Sequence, residues 1–411
     1  MTTKRKEPAA ETYKWEFKAR FRRHAFGWKS QPAITRIKQA VAEIKKVAKK
    51  EPVLAAEGAI AFLERVSPAL EHVDSSSGSI GTAVNSAIAE LVPIIADAPV
   101  DTKTRETWLE RLFEAYKDDG IPYIEWLGDH WGTLCASKGI ASAWADRLIE
   151  MVKLAWSPDP SLRGFFKGTT NCLSALVAAE RYDDLLALLE LAPYKMWHYR
   201  QYGVKALAAK GKKAEAIRYA EEGRGLNDSP VAIARACEEV LLSSGLIDEA
   251  YKRYGLEANQ AGTYLATFRA VAKKYPHKPV SEILADLVKT TPGDEGKWFA
   301  AAKDAGLYDE ALALASRTPC DPKTLARAAR DFGEKEPAFA IGAGLLSLHW
   351  LVQGYGYEIT GADVWDAYRG TLAAAERHGS SAEVKERVRK LVAAEQAGGF
   401  VTKVLGRELG L

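Results

Sequence analysis

Gly245-Leu-Ile-Asp-Glu-Ala250 and Gly306-Leu-Tyr-Asp-Glu-Ala311 are two copies of one short phrase, and Gly211-Lys-Lys-Ala-Glu-Ala216 is a third. A weaker relative is Arg181-Tyr-Asp-Asp-Leu185. Aligned on Leu185, Ala216, Ala250 and Ala311, the copies stand 31, 34 and 61 residues apart, and Ile283 fills the widest interval. A period in the thirties is the mark of stacked helix pairs. The physical sense of the phrase follows. Gly ends one helix in a left-handed turn, Asp or Ser is expected to cap the next, and a small Ala faces the first helix where the two approach closely.

Outward from these phrases, the chain reads as helix nearly throughout. Ala, Leu, Glu, Lys and Arg dominate, and alternating strand patterns of useful length are missing. Breakers such as Lys50-Glu-Pro52, Asp74 to Gly78, Ser157-Pro-Asp-Pro160, Tyr275-Pro276, Pro292-Gly293 and Gly379-Ser380 recur every 12 to 20 residues. Short loops between helices of this length make antiparallel neighbours.

The phrases resemble the second helix of tetratricopeptide repeats, which opens on Gly and then Asp-Glu-Ala. The first-helix pattern of that family, a Trp and then Leu-Gly, is replaced here, by Arg200 and Gly203-Val204 in one unit and by Trp298-Phe299 in another. Residues 31–380 more widely resemble a bacterial family of helical-repeat proteins with no assigned activity. SPALEHVDSSSGSIG (67–81), YRQYGVKALAAKG (199–211), IARACEEVLL (233–242), TPGDEGKWFAAAKDAGLYDEALALA (291–315) and GYGYEITGADVWDAY (354–368) carry that resemblance. It implies a bacterial origin and an α-solenoid, and it brings no activity, cofactor or site with it.

Composition sets the class. The 411 residues are 47% hydrophobic and 27% charged, which excludes a disordered chain and suffices for a sizeable core. The polar opening MTTKRKEPAAET has no apolar stretch behind it, so no secretory leader is expected. Cys135, Cys172, Cys237 and Cys320 stand far apart with no C-x-x-C pair, so reduced, buried thiols and a cytoplasmic location are expected. Ala338 to Tyr357 runs twenty residues without Asp, Glu, Lys or Arg. Its glycines, Ser347, His349 and Gln353 favour a buried core helix over a membrane span.

Two stretches are candidates for binding. The net charge of +3 hides an asymmetry, for the first fifty residues hold 15 Lys and Arg against 4 Asp and Glu. Within YKWEFKARFRRHAFGWK (13–29), helical spacing places Tyr13, Phe17 and Phe21 on one face and Lys14, Lys18 and Arg22 beside them, with Arg20 and Arg23 near. Cations hold phosphates and aromatics stack on bases, so nucleic acid is one reading. The other readings are an acidic partner or membrane surface, and a capping helix whose aromatics pack on the first hairpin. The second stretch is Trp197-His198-Tyr199-Arg200-Gln201-Tyr202. On a helix Trp197 and Arg200 share one face, and His198 and Tyr202 share another. Trp, Tyr and Arg are the usual anchors of protein interfaces.

The seven histidines lack the spacings of a metal site, and no phosphate loop or nucleophile motif is present. The expectation is therefore an all-α solenoid of antiparallel hairpins: a basic lead segment at 1–30, HEAT-like hairpins at 31–178, tetratricopeptide-like hairpins at 179–378 and closing helices at 379–411. The expected function is a non-enzymatic scaffold for a protein or peptide partner. It needs no cofactor and no metal, and nucleic-acid binding through the lead segment is the alternative.

Overall fold

The computed structural model describes residues 13–225, 228–396 and 398–411. Residues 1–12 of the basic lead segment therefore lie outside the described residues. Every regular element described is helical, and none is a strand. The chain divides into two compact units, 1–229 and 230–411. The division falls inside the 179–378 stretch that the sequence presents as one run of hairpins.

The N-terminal unit comprises α1 (Glu16–Arg20), α2 (Ser30–Ala48), α3 (Pro52–Leu70), α4 (Ser79–Ala96), α5 (Thr102–Lys117), a 3-10 turn (Glu125–Gly128), α6 (Trp131–Cys135), α7 (Lys138–Ala155), α8 (Thr169–Ala178), α9 (Tyr182–Glu190), α10 (Trp197–Ala209) and α11 (Lys213–Glu221). Each helix packs on those near it in sequence: α2 on α3 and α4, α7 on α8, and α10 on α9 and α11. Helices α3 and α8 are apolar or small on nearly every side and are covered accordingly. α4 is the one helix among the described residues that is long and apolar enough to cross a membrane. Its Ile80, Val84, Ile88, Leu91 and Ile95 are buried in the core of this unit.

The C-terminal unit comprises α12 (Pro230–Leu242), α13 (Ile247–Ala250), a π-helical turn (Tyr251–Gly255) that runs into α14 (Leu256–Ala258), then α15 (Tyr264–Lys274) and α16 (Val280–Lys289). A 3-10 turn (Glu295–Trp298) leads into α17 (Phe299–Asp304), followed by α18 (Tyr308–Arg317), α19 (Pro322–Phe332), α20 (Pro337–Val352), α21 (Gly361–His378), α22 (Ser381–Ala393) and α23 (Phe400–Leu409). The uncharged stretch is α20, a core helix packed on α18, α19, α21 and α22. Its Gly344 lies so close to α21 that a Cβ there would stand 1.9 Å from Thr371 Oγ1.

The repeated phrase folds the same way each time. Glu180, Gly211, Gly245 and Gly306 are left-handed, with φ of 58°, 76°, 74° and 73°. The next N–H reaches five residues back in each copy: Arg181 to Leu176, Lys212 to Leu207, Leu246 to Leu241 and Leu307 to Ala302, at 2.9–3.0 Å. This is the Schellman closure of a helix C-terminus. The fourth residue of the following helix, Leu185, Ala216, Ala250 or Ala311, is fully buried. One expectation is corrected. Arg181, Lys212, Leu246 and Leu307 occupy the N-cap positions, and none caps through its side chain. The acidic residues sit in the first helical turn instead, where they favour the dipole. All four cysteines are buried thiols outside any disulfide, and burial pushes those of Cys135, Cys172 and Cys320 up to about 12.

Candidate partner-binding surfaces

The Trp197–Tyr202 cluster opens α10, and Asp228 Oδ1 accepts from the Trp197 backbone N–H at 2.9 Å. Arg200 is only 5% exposed. Its guanidinium lies 3.8 Å from the centre of the Tyr219 ring, donates to the Tyr219 carbonyl and pairs with Glu222 at 3.6 Å. Tyr202 is 1% exposed and donates to Asp129 Oδ1 at 2.7 Å. Burial, followed by the nearby Asp129 carboxylate, drives the Tyr202 phenol well above its ordinary range. His198 Nε2 meets Thr170 Oγ1 at 2.9 Å, and the Tyr199 ring stands 5.1 Å from that of Trp156.

The structure thus brings these residues together but turns Arg200 and Tyr202 inward, in different directions. Arg200 ties α10 to α11, and Tyr202 ties it to Asp129, the residue that closes the 3-10 turn. His198 stays exposed, and Trp197 and Tyr199 are half-buried. The large apolar side chains that do stand in solvent lie in two loops that sequence reasoning missed. Tyr194 is 70% exposed and Met196 is exposed beside it; Phe165 is 81% exposed, with Leu162 near it in the loop after α7. Trp156, at the start of the first loop, touches Tyr199, in the first turn of the helix that follows the second. Loop position carried no periodic signal that would have marked these residues.

The lead segment is anchored by its aromatics. Trp15, Phe17 and Phe21 are buried, whereas Tyr13 is exposed. The expected Tyr13–Phe17–Phe21 face is corrected, because the helix begins only at Glu16 and Trp15 precedes it in extended conformation. The Trp15 indole lies over Gly58, where a Cβ would meet the ring at 2.2 Å. Phe17 and Phe21 pack edge-on against Phe62 at 5.8 and 5.1 Å. Glu43 accepts the backbone N–H of Glu16 and Phe17. Lys14, Lys18, Arg20, Arg22 and Arg23 remain exposed; Arg20 pairs with Glu16 at 3.3 Å and Arg23 with Glu71 at 3.9 Å. Phe17 and Phe21 are thereby withdrawn from any stacking on bases.

The C-terminal unit holds an open groove of about 500 Å³ beside the π turn. Tyr251, Tyr254 and Trp298 form its buried floor, and Lys252, Arg253, Gln260 and Thr263 its exposed rim. Trp298 Nε1 donates to Thr291 Oγ1 at 2.8 Å, which fixes the ring. Among the described residues, no group of three or more His, Cys, Asp or Glu is arranged to hold a metal ion. Comparison with known proteins finds no family model that matches the chain, and no curated protein significantly similar to it.

Proposed function

We propose that the protein is a non-enzymatic scaffold of antiparallel helical hairpins, HEAT-like over 31–178 and tetratricopeptide-like over 179–378, that binds a protein or peptide partner in the bacterial cytoplasm. The observation that carries this reading is the exposure of large apolar side chains in two loops of the N-terminal unit, Leu162 and Phe165 after α7 and Tyr194 and Met196 before α10. Large apolar side chains grouped in solvent mark interaction surfaces, and Phe and Tyr are rigid anchors that lose little entropy on binding. The adjoining core supports the same reading. Tyr202, Asp129, Thr170 and His198 form a hydrogen-bonded base that holds the start of α10, and with it the Tyr194 loop, in place.

Site-specific incorporation of a photo-crosslinking phenylalanine at Phe165 and at Tyr194 in living cells tests the proposal. Arg389, exposed on α22, serves as control. Phe165 and Tyr194 are both expected to give a protein adduct, resistant to nuclease and absent at the control. Adducts to nucleic acid, or none at either position, overturn the reading.

A further inference from the structure

The groove between α2 and α4 combines an aliphatic floor with a row of lysines, and we infer that it receives an acidic amphipathic helix from a partner protein. The inference rests on the scaffold reading, and gives its N-terminal unit a second surface and a partner of stated chemistry. The groove encloses about 850 Å³. Ile37, Val41, Ala83 and Ala87 make its floor. Thr82 and Ser86 line it too, but their hydroxyls donate back into their own helix, to the Gly78 and Thr82 carbonyls at 3.0 and 2.8 Å. The face of α4 that meets the groove therefore carries small side chains, and the Thr82 and Ser86 hydroxyls have partners within the helix. Small residues let a third helix approach two others closely.

The rim supplies the charge. Lys38, Lys45, Lys46 and Lys49 line the groove from α2, and Glu90 is its one acidic lining residue. Lys45 pairs with Glu90, whereas Lys38, Lys46 and Lys49 are exposed and make no ion pair among the described residues. At 100° per residue, positions 38, 45 and 49 fall within about 20° of one line, spread over roughly 17 Å of helix. Carboxylates at the same seven- and four-residue spacing on a docked helix would meet them in turn, as flanking charges do in helical coils. No aromatic ring and no arginine lines the groove. That absence favours an acidic helix over single-stranded nucleic acid, which uses aromatic platforms.

The test uses the full chain and three fluorescent probes. The first is a synthetic helix of about three heptads with Ala and Leu at the apolar positions and Glu flanking them. The second is the same peptide with Lys for Glu, and the third an oligothymidylate of about twenty nucleotides. The acidic peptide is expected to bind, more weakly as salt rises, and the lysine peptide to fail. Reversing the free charges together (Lys38→Glu, Lys46→Glu, Lys49→Glu) is expected to weaken binding by about tenfold or more. Ala42→Trp, an exposed position in the groove, should block it with the lysines intact. Circular dichroism establishes that each variant is folded, and Ala42→Trp decides if the triple variant is not. Equal binding of both peptides, or an affinity within about twofold of the parent for the folded triple variant, overturns the inference. So does oligothymidylate that displaces the acidic peptide. Protein adducts at Phe165 and Tyr194 alongside such a result would leave the scaffold reading standing and remove only the groove.

Discussion

Gly58 shows what a single residue decides here. It has no side chain because the Trp15 indole occupies the space, and the close approach docks the lead segment on α3. Gly58→Ala is expected to lower stability by about 2 kcal/mol in urea unfolding, since the new methyl group must displace a buried ring. In a Trp15→Ala background the same substitution should cost little, because the ring is gone. The non-additivity of the pair is the signature, and additive losses would show that the two residues do not share the space. The residue scale is also where the binding cluster was hardest to read. Arg200 and Tyr202 belong to the residue types that make interface anchors, yet α10 is covered on two sides and both side chains are turned into those contacts. Residue type states what a side chain can do, and neighbours from elsewhere in the chain determine whether solvent can reach it.

At the scale of elements, the turn before each second helix is the most legible feature. A left-handed residue followed by a Schellman bond needs only local sequence, and Gly meets it at three of the four copies. Glu180 is the exception, held at φ 58° with a Cβ that disfavours it. Glu180→Gly is expected to raise stability by about 1 kcal/mol, and Gly245→Ala to lower it by a similar amount. Both are read from thermal or chemical unfolding midpoints, and a destabilised Glu180→Gly variant would mean that its ion pair with Lys138 outweighs the backbone strain. The π turn at Tyr251–Gly255 was not legible. It lies directly after the Gly245 phrase, in sequence that reads as ordinary helix, and Gly255 there faces the Tyr275 ring at a distance a Cβ would crowd. Helical periodicity does not report a one-residue insertion whose cause is packing.

At the scale of the molecule, buried residues drawn from α1 to α10 form one continuous cluster, and buried residues drawn from α19 to α23 form another within the C-terminal unit. Each unit is of ordinary domain size. Residues 13–229 and 230–411, produced separately, are therefore expected to give helical circular dichroism and cooperative thermal unfolding. A fragment that remains unfolded at low temperature would show that the division is not one of folding. The helical character of the chain, the breakers between helices and the left-handed glycine turns of the repeated phrase were determined by the sequence alone, because helical periodicity and glycine turns are local properties. Only the tertiary structure decided that Trp15 rather than Tyr13 anchors the lead segment, that Tyr202 meets Asp129 across 73 residues of chain, and that Phe165 and Tyr194 stand in solvent. Burial and charge pairing depend on which distant residues arrive at a face, and no local spacing records that.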